Sequence, residues 1–472
     1  MEPVNEVLEH ITLPFKLHQY QVDDVNRFAK LRTCGVYWDM GLGKTNCATM
    51  LGVYKLLHGF NSCIVICPAS LITQWCQWLE SIDLEVTDYR GSPKKREKIS
   101  LDSDFIVMSP QIFQNDYEKF KGLKDIYYIV DEATNLCSHN NIIFKLLRGG
   151  IVKKTQKIKL SHGTIIPITK DYRYEKIMHD CCLLTGTPLS GDPIAAYGLI
   201  SITSPEAYPN YGNFYRKHVL AEDNFGSPVA FKDLDVLHDN LVENAVIREV
   251  SDHLDMPEKV VKVVKYDLSP AHMKLYRKLI QEQLLVLEDG SVIDATEATK
   301  LFHMSQQFIF CPLEFKGKVE GLEVLDSLVT ATKTRILFNN YIATNELMME
   351  RYDAGGCFGS VSRKDKDRYV EEFKAGDLDT ITIHPKSGGY GLNLFNCNQV
   401  IFPEMPLAPR DYKQCLARSW RQGQTKTVVI TILVARKTIQ ESLLRNTMKR
   451  DDVVSKVLHT KETIRKMLEG EL

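Results

Sequence analysis

A short apolar segment, Cys34-Gly35-Val36-Tyr37, leads into Trp38-Asp39-Met40-Gly41-Leu42-Gly43-Lys44-Thr45 and then into a helix-compatible run from Asn46 to Leu57. Strand, glycine-rich turn and helix follow in the order that a phosphate-binding loop needs. Gly41 and Gly43 let backbone N–H groups curl around a polyphosphate, and the helix N-terminus adds donors and partial positive charge. Lys44 can reach the β- and γ-phosphates, and the Thr45 hydroxyl can hold Mg²⁺. The strict spacing asks for a glycine five residues before Gly43, where this chain has Trp38. Further on, Ile129-Val130-Asp131-Glu132-Ala133-Thr134 ends a strand-like run with two acids. A carboxylate at Asp131 suits Mg²⁺ beside a phosphate loop, and Glu132 can orient or deprotonate an attacking water. Alone the acidic pair reads equally well as a solvated turn; with the Lys44 loop it reads as the second half of a nucleotide site.

A third constellation lies far along the chain. Gln414, Arg418 and Arg421 are spaced i, i+4, i+7, so a helix would set them on one face. That face is either a solvated basic surface or an arginine fork for phosphate. With the Lys44 loop on a separate domain, the expectation is a split site. Arg418 and Arg421 then stabilise charge during phosphoryl transfer, and closure on the nucleotide drives motion. Loops with glycine or hydroxyl residues after strands can offer N–H groups to nucleic-acid phosphates. Pro68–Ser70, Ser109–Gln111, Gly359–Ser362 and Ser387-Gly388-Gly389 are such loops, and each also reads as an ordinary connection. Ile151–Leu160 is basic and β-compatible, Ser161-His162-Gly163 signals a turn, and Thr164–Ile168 reads as the returning strand. Lys153, Lys154, Lys157 and Lys159 make this inserted hairpin either a DNA contact or a solvated ribbon. Lys94-Lys95-Arg96-Glu97-Lys98 reads as a solvated loop.

The elements that must position these residues alternate. Strand patterns at Ser62–Cys67, Phe105–Ser109, Ile126–Val130 and Cys182–Thr185 are separated by helix-compatible sequence, which argues for a parallel sheet wrapped by helices. From about 190 to 250 the strand signal fades, prolines accumulate, and Leu234–Glu249 reads as helix. Val260–Tyr266 alternates as a strand, Pro270–Leu287 reads as helix, and helical sequence continues to about Asp326. Strands resume at Arg335–Phe338, Cys357–Gly359, Thr380–Ile383, Gln399–Phe402 and Val428–Val434, and Gln440–Leu472 is charged and helical. The reading is two α/β domains. Residues 1–250 hold an inserted hairpin at about 149–170 and a helical protrusion at 190–250; residues 251–472 hold a helical insertion at 268–330 and C-terminal helices.

Composition bounds the function. The chain has 472 residues, 44% hydrophobic and 25% charged, enough for large cores. At a net charge of −1, nucleic acid must be met by local patches and not by bulk charge. No apolar run reaches membrane-span length, and Met1–His10 has no leader pattern. Twelve scattered cysteines, without zinc spacing, read as reduced core residues of a cytoplasmic protein.

In motif order this sequence resembles the superfamily-two helicases, specifically the Swi/Snf-type DNA translocases. Leu17-His18-Gln19-Tyr20-Gln21 resembles the adenine-reading motif, with Gln21 in the recognition position. Asp39–Thr45 resembles the first motif, which lacks the outer glycine. Ile66–Leu71 with Trp75 resembles the strand-tracking motif, and Asp131–Thr134 the acidic box, with Thr134 where histidine is commoner. Leu184–Leu189 resembles the motif that couples hydrolysis to movement. Phe358-Gly359-Ser360, Arg368 and Phe373 fit the second half. Ser387–Leu394, including Gly391, resembles the fifth motif, and Gln414, Arg418, Arg421, Gly423 and Gln424 the sixth. One departure is His384-Pro385, where hydroxyl residues are common; proline removes a donor. The resemblance implies two RecA-like domains of the P-loop NTPase class, with ATP and Mg²⁺ as cofactors. It also implies 3′-to-5′ translocation on DNA without sequence preference. No chromatin-reading module is recognisable, so the expectation is a monomeric stripped motor. Such a motor would remodel branched DNA by branch migration or fork regression, in replication, recombination or repair. It is similar to compact versions carried by bacteriophages and other viruses, which would place it in a host cytoplasm. An RNA helicase and a nucleotide-gated nucleic-acid-binding module are the competing readings.

Overall fold

The structure is a computed structural model that describes residues 2–138, 141–159, 165–189, 192–222, 228–282, 284–286, 292–294, 298–310, 319–385, 392–406 and 409–445. The chain divides between His253 and Leu254 into two compact units, each built on its own sheet.

The first unit contains β1 (Thr33–Trp38), β2 (Ser62–Ile66), β3 (Val86–Asp88), β4 (Phe105–Met108), β5 (Ile126–Val130), β6 (Gly150–Lys159), β7 (Ile165–Tyr174), β8 (Asp180–Leu184), β9 (Val219–Glu222), β10 (Pro228–Phe231) and β11 (Ala245–Arg248). Seven of them form one sheet in the order β11-β1-β8-β5-β2-β4-β3, and every pairing is parallel. Strands such as SCIVI and FIVM are buried along their whole length, as a parallel sheet covered on both faces requires. Because all seven run the same way, the loops after β1, β8, β5, β2 and β4 emerge at one edge, where open α/β sheets bind ligands. Helix Ala196–Thr203 is buried along its length and presses on the turn after β5. A Cβ on Gly198 would lie 1.4 Å from the Cys137 carbonyl oxygen, so only glycine permits that approach.

The second unit holds β12 (Lys259–Tyr266), β13 (Leu284–Val286), β14 (Val292–Asp294), β15 (Arg335–Phe338), β16 (Gly355–Cys357), β17 (Thr380–Ile383), β18 (Gln399–Phe402) and β19 (Val428–Ala435). Its six-stranded sheet, β12-β19-β18-β15-β17-β16, is again parallel throughout. The fold is therefore α/β with two parallel-sheet domains of RecA-like type.

Several sequence expectations need correction. The 190–250 region is not purely helical: β9 and β10 pair antiparallel, and helix Leu234–Val242 stops before β11. β11 was hidden because Ala245-Val246-Ile247-Arg248 is short and continues a helical pattern. The helix from Pro270 ends at Glu282, and β13 pairs antiparallel with β14 before helix Ala298–Phe310. The strand expected at Cys357–Gly359 lies at Gly355–Cys357. Lys94–Lys98 is not simply solvated. Pro93–Arg96 is one helical turn, and buried Arg96 is bidentate to Asp116, with Nε to Oδ2 at 2.8 Å and Nη2 to Oδ1 at 3.0 Å. The inserted hairpin is present: β6 and β7 pair antiparallel from Gly150↔Tyr174 to Lys159↔Ile165.

Candidate active site

Trp38 is the last residue of β1 and fully buried, its ring edge-on to Tyr20 at 5.4 Å. The position is still strand, so no glycine is needed there. The turn begins later: Gly41 has φ +91° and Gly43 φ +84°, and helix Lys44–Leu57 starts at once. A Cβ on Gly41 would meet nothing within 4 Å, which leaves the loop open at that point. At Gly43 a Cβ would lie 2.4 Å from Gln21 Nε2, so side chain and turn exclude one another. Gln21 supports this turn directly. Its Nε2 donates to the Leu42 carbonyl at 2.9 Å, and its Oε1 accepts the His18 N–H at 3.0 Å. The Tyr20 hydroxyl donates to the same Leu42 oxygen at 2.9 Å.

Lys44 Nζ donates to the carbonyls of Trp38 at 2.7 Å and Asp39 at 3.1 Å, and it sits close to Gly186. Its charge also acts on Asp131 at the end of β5. Asp131 Oδ2 accepts the Trp75 indole N–H at 3.0 Å, and Oδ1 accepts the Glu132 N–H at 2.9 Å. Burial nevertheless prevails and lifts the Asp131 pKa; the indole, Lys44 and the Glu132 amide oppose it. A buried carboxylate of this kind gains from a cation. Mg²⁺ commonly takes one or two protein ligands and completes its shell with phosphate and water. Thr45 and Asp131 suit that role, whereas no cluster of three or more histidine, cysteine or acidic residues exists among the described residues. Glu132 is buried with φ +53°, a left-handed backbone that a non-glycine residue rarely adopts.

The acidic box is tied to the loop after β8. Thr134 Oγ1 lies 2.8 Å from Thr185 Oγ1 and donates to the Thr187 carbonyl at 3.0 Å, and the Thr187 N–H donates to Thr185 Oγ1 at 3.1 Å. Gln21, Gly43, Lys44, Asp131, Glu132 and the Thr185 loop are thus brought to one edge of the sheet.

Two supporting residues escaped the sequence. Arg248 on β11 grips Asp24 with Nε to Oδ2 and Nη2 to Oδ1, both 2.6 Å. The Asp39 N–H donates to the Arg248 carbonyl at 2.8 Å, so β11 braces the entry to the phosphate loop. Asp24 had a signal, lying one helical turn beyond Tyr20 and Gln21. Arg248 had none once β11 was read as helix.

Other loops differ in use. Pro68–Ser70 leads from β2 towards helix Ile72–Glu80, with Ser70 exposed. Ser109 is spent on capping helix Pro110–Asn115 through the Ile112 N–H. Gly359 follows β16, Ser360 donates to Glu346 at 3.1 Å, and Ser362 caps helix Arg363–Ala375. Arg368 is exposed and pairs with Asp365 and Glu372. Ser387, Gly388, Gly389 and Gly391 lie outside the described residues, as do the side chains of Lys153, Lys154, Lys157 and Lys159.

In the second unit Gln414 and Arg418 are buried on helix Pro409–Ser419. The shared helical face is not continuous: the helix ends at Ser419, and a turn presents Arg421. Gln424 fixes that turn, donating to the carbonyls of Phe395 at 2.8 Å, Cys397 at 3.1 Å and Ser419 at 3.3 Å. Among the described residues Arg421 reaches the Leu392 carbonyl, at 3.4 Å, and burial lowers its pKa. Its Nε and the Gln414 Nε2 are buried with no hydrogen-bond partner among the described residues.

Residues 32–312 match the SNF2-related domain and residues 320–423 the helicase conserved C-terminal domain. A zebrafish (Danio rerio) chromodomain-helicase-DNA-binding protein 1-like is 26% identical over 90% of this chain and 42% of its own length. A DNA repair and recombination protein RAD54-like of Drosophila pseudoobscura pseudoobscura is 23% identical over 91% of this chain and 61% of its own. The chain therefore spans about half the length of these curated relatives. The Sulfolobus solfataricus SWI2/SNF2 ATPase core in complex with dsDNA is 18% identical, covering 96% of this chain and 97% of that one, at a loose TM-score of 0.42. With more than half of its residues matched by the first domain, the chain belongs to the SNF2-related family of superfamily-two ATPases.

Proposed function

We propose that the chain is a DNA-dependent ATPase that translocates on duplex DNA and remodels branched DNA by branch migration or fork regression. One observation carries the ATPase part. The Lys44 loop and the Asp131-Glu132 pair rise from the same edge of one parallel sheet, with Asp131 under the charge of Lys44. In this reading Lys44 binds the β- and γ-phosphates, Thr45 and Asp131 hold Mg²⁺, and Glu132 orients the attacking water. The metal supplies charge neutralisation at the phosphates. Arg421 supports a further phosphate role, because a half-buried guanidinium that forms no ion pair among the described residues is stabilised by an anion. Gln414 and Arg418 are assigned with it, and Gly391 remains a nucleotide-site residue by family resemblance.

The DNA part rests on the loops and on relatives whose names concern DNA binding and DNA repair and recombination. Pro68 and Ser70 follow β2, Gly359 follows β16, and Ser387 and Gly388 follow β17 in sequence. We assign them to backbone phosphates, together with Lys153, Lys154 and Lys157 of the hairpin. Such contacts position a protein on DNA and read no bases. The test measures ATP turnover in parallel with single-stranded, duplex, forked and four-way DNA and with duplex RNA. Turnover should rise most with duplex and branched DNA. Greatest stimulation by RNA would replace this reading with an RNA helicase, and stimulation by none with a nucleotide-gated binding module.

A further inference from the structure

We propose that Trp75 is the positioning residue through which nucleic acid at the Pro68–Ser70 loop acts on the Mg²⁺-holding carboxylate of Asp131. The inference rests on the assignment of that loop to DNA backbone phosphates.

The covalent path is short. β2 ends at Ile66, the Leu71 N–H donates to the Pro68 carbonyl at 2.8 Å, and the Trp75 N–H donates to the Leu71 carbonyl at 2.9 Å. Trp75 therefore stands one helical turn beyond the loop. Ile72, Trp75, Cys76 and Leu79 are all buried, at i, i+3, i+4 and i+7, so the helix packs as a rigid rod by one face. Any shift of its first turn is carried to the indole.

The indole is 2% exposed and gives its N–H to Asp131 Oδ2 at 3.0 Å. The adjacent Trp78 points its N–H elsewhere, to Thr49 Oγ1 at 3.1 Å on the helix after the phosphate loop. The two tryptophans of one short helix thus touch both halves of the nucleotide site, and only Trp75 touches its carboxylate. Among the described residues Asp131 is otherwise supported by its own neighbour's amide and the charge of Lys44. Lys44 Nζ donates to the Trp38 and Asp39 carbonyls in this structure, so it acts on Asp131 through its charge. Trp75 is then the donor that fixes the Oδ2 direction. Engagement of the loop sets the indole, the indole sets the carboxylate, and the metal–nucleotide complex binds better. Linkage makes the effect reciprocal: bound nucleotide tightens the grip on DNA by the same factor.

Trp75→Phe keeps an aromatic ring and removes the donor. The experiment measures the dissociation constant of a non-hydrolysable ATP analogue with Mg²⁺, with and without saturating duplex DNA. The wild-type chain should show tightening of about fivefold or more. Trp75→Phe should bring that ratio to about one. A ratio kept at the wild-type value would overturn the role of Trp75 and leave the DNA reading standing. Absence of coupling in a wild type that binds duplex would do the same. Failure of the wild type to bind duplex at all would remove the DNA reading and this inference with it. Should Trp75→Phe not fold, the ¹⁵N–¹H indole signals of the wild type decide. The four tryptophans are separable, since Trp78→Phe and Trp420→Phe each remove one signal and the Trp38 N–H is buried without a hydrogen-bond partner among the described residues. Duplex added without nucleotide must move the Trp75 signal; an unmoved signal overturns the proposal.

Discussion

In the proposed mechanism Lys44 and Glu132 act on different steps, and single substitutions separate them. Lys44→Ala removes the charge that meets the β- and γ-phosphates, and turnover should fall on the order of 10³-fold. Glu132→Gln keeps size and hydrogen bonding but cannot take a proton, so the analogue should bind while phosphate release stalls. A Glu132→Gln chain that hydrolyses at the wild-type rate would remove Glu132 from the water-activating role. A third residue bears on stability. Glu404 is fully buried just after β18, where Oε1 accepts the Thr344 hydroxyl at 2.7 Å and Oε2 the Asn340 N–H at 2.8 Å. Burial outweighs these donors and pushes its pKa from the ordinary 4.5 up to about 7. The folded state then holds a proton that the unfolded state releases between those values. Glu404 thus stabilises the fold fully below about pH 4.5, and that stability is lost as pH rises towards 7. The loss is a few kcal/mol at most, roughly 1.4 kcal/mol per pH unit. Melting temperature measured from pH 4.5 to 8 should show this fall in the wild type and a flatter profile in Glu404→Gln; parallel profiles would refute the assignment.

Elements decide which motif residues act together. The sixth-motif spacing led to one helical face for Gln414, Arg418 and Arg421, yet the helix stops at Ser419 and Gln424 shapes the turn beyond it. That stop was hidden because Trp420 and Arg421 continue a helix-compatible pattern until Gly423. The consequence is testable. Arg421, carried by a turn and half-buried without an ion pair among the described residues, should be more sensitive to geometry than Arg418. Arg418→Ala and Arg421→Ala should each lower turnover on the order of 10³-fold, with nucleotide affinity much less affected. Arg421→Lys should not rescue, because a point charge cannot replace the planar fork. Rescue by lysine would reduce Arg421 to a general positive charge. The hairpin belongs to the same scale. β6 and β7 each run ten residues, and Ile151 and Tyr172 at its base are exposed. Replacing 151–168 by a short Gly/Ser linker should leave duplex-stimulated ATPase largely intact and impair branch migration. Equal branch-migration rates would leave the hairpin a solvated ribbon.

For the whole molecule, the sequence disclosed most where a residue's role is local. The Lys44 loop, the acidic box and ten of the parallel strands follow from short patterns, because a buried strand must be apolar and a phosphate turn must contain glycine. What it concealed was long-range. Nothing in Ala245–Arg248 shows that this segment pairs with β1 or that Arg248 meets Asp24, a contact spanning 224 residues. Nothing in Trp75 alone shows that its N–H ends on Asp131, because hydrogen-bond partners across a sheet edge are set by packing and leave no periodicity. Net charge, by contrast, is a whole-chain property that sequence gives outright, and it constrains the last prediction. A chain at −1 has no global attraction for DNA, so affinity must come from local phosphate contacts that release counterions. The logarithm of the binding constant should fall linearly with the logarithm of salt concentration. The slope is about 0.9 per phosphate neutralised, and unrelated duplexes should give the same line. Each lysine of the hairpin that meets a phosphate then contributes about one unit of slope on branched DNA. Removing Lys153, Lys154 and Lys157 should flatten the branched-DNA line and leave the plain-duplex line in place. An affinity independent of salt, or confined to one sequence, would show that bases and not the backbone are read.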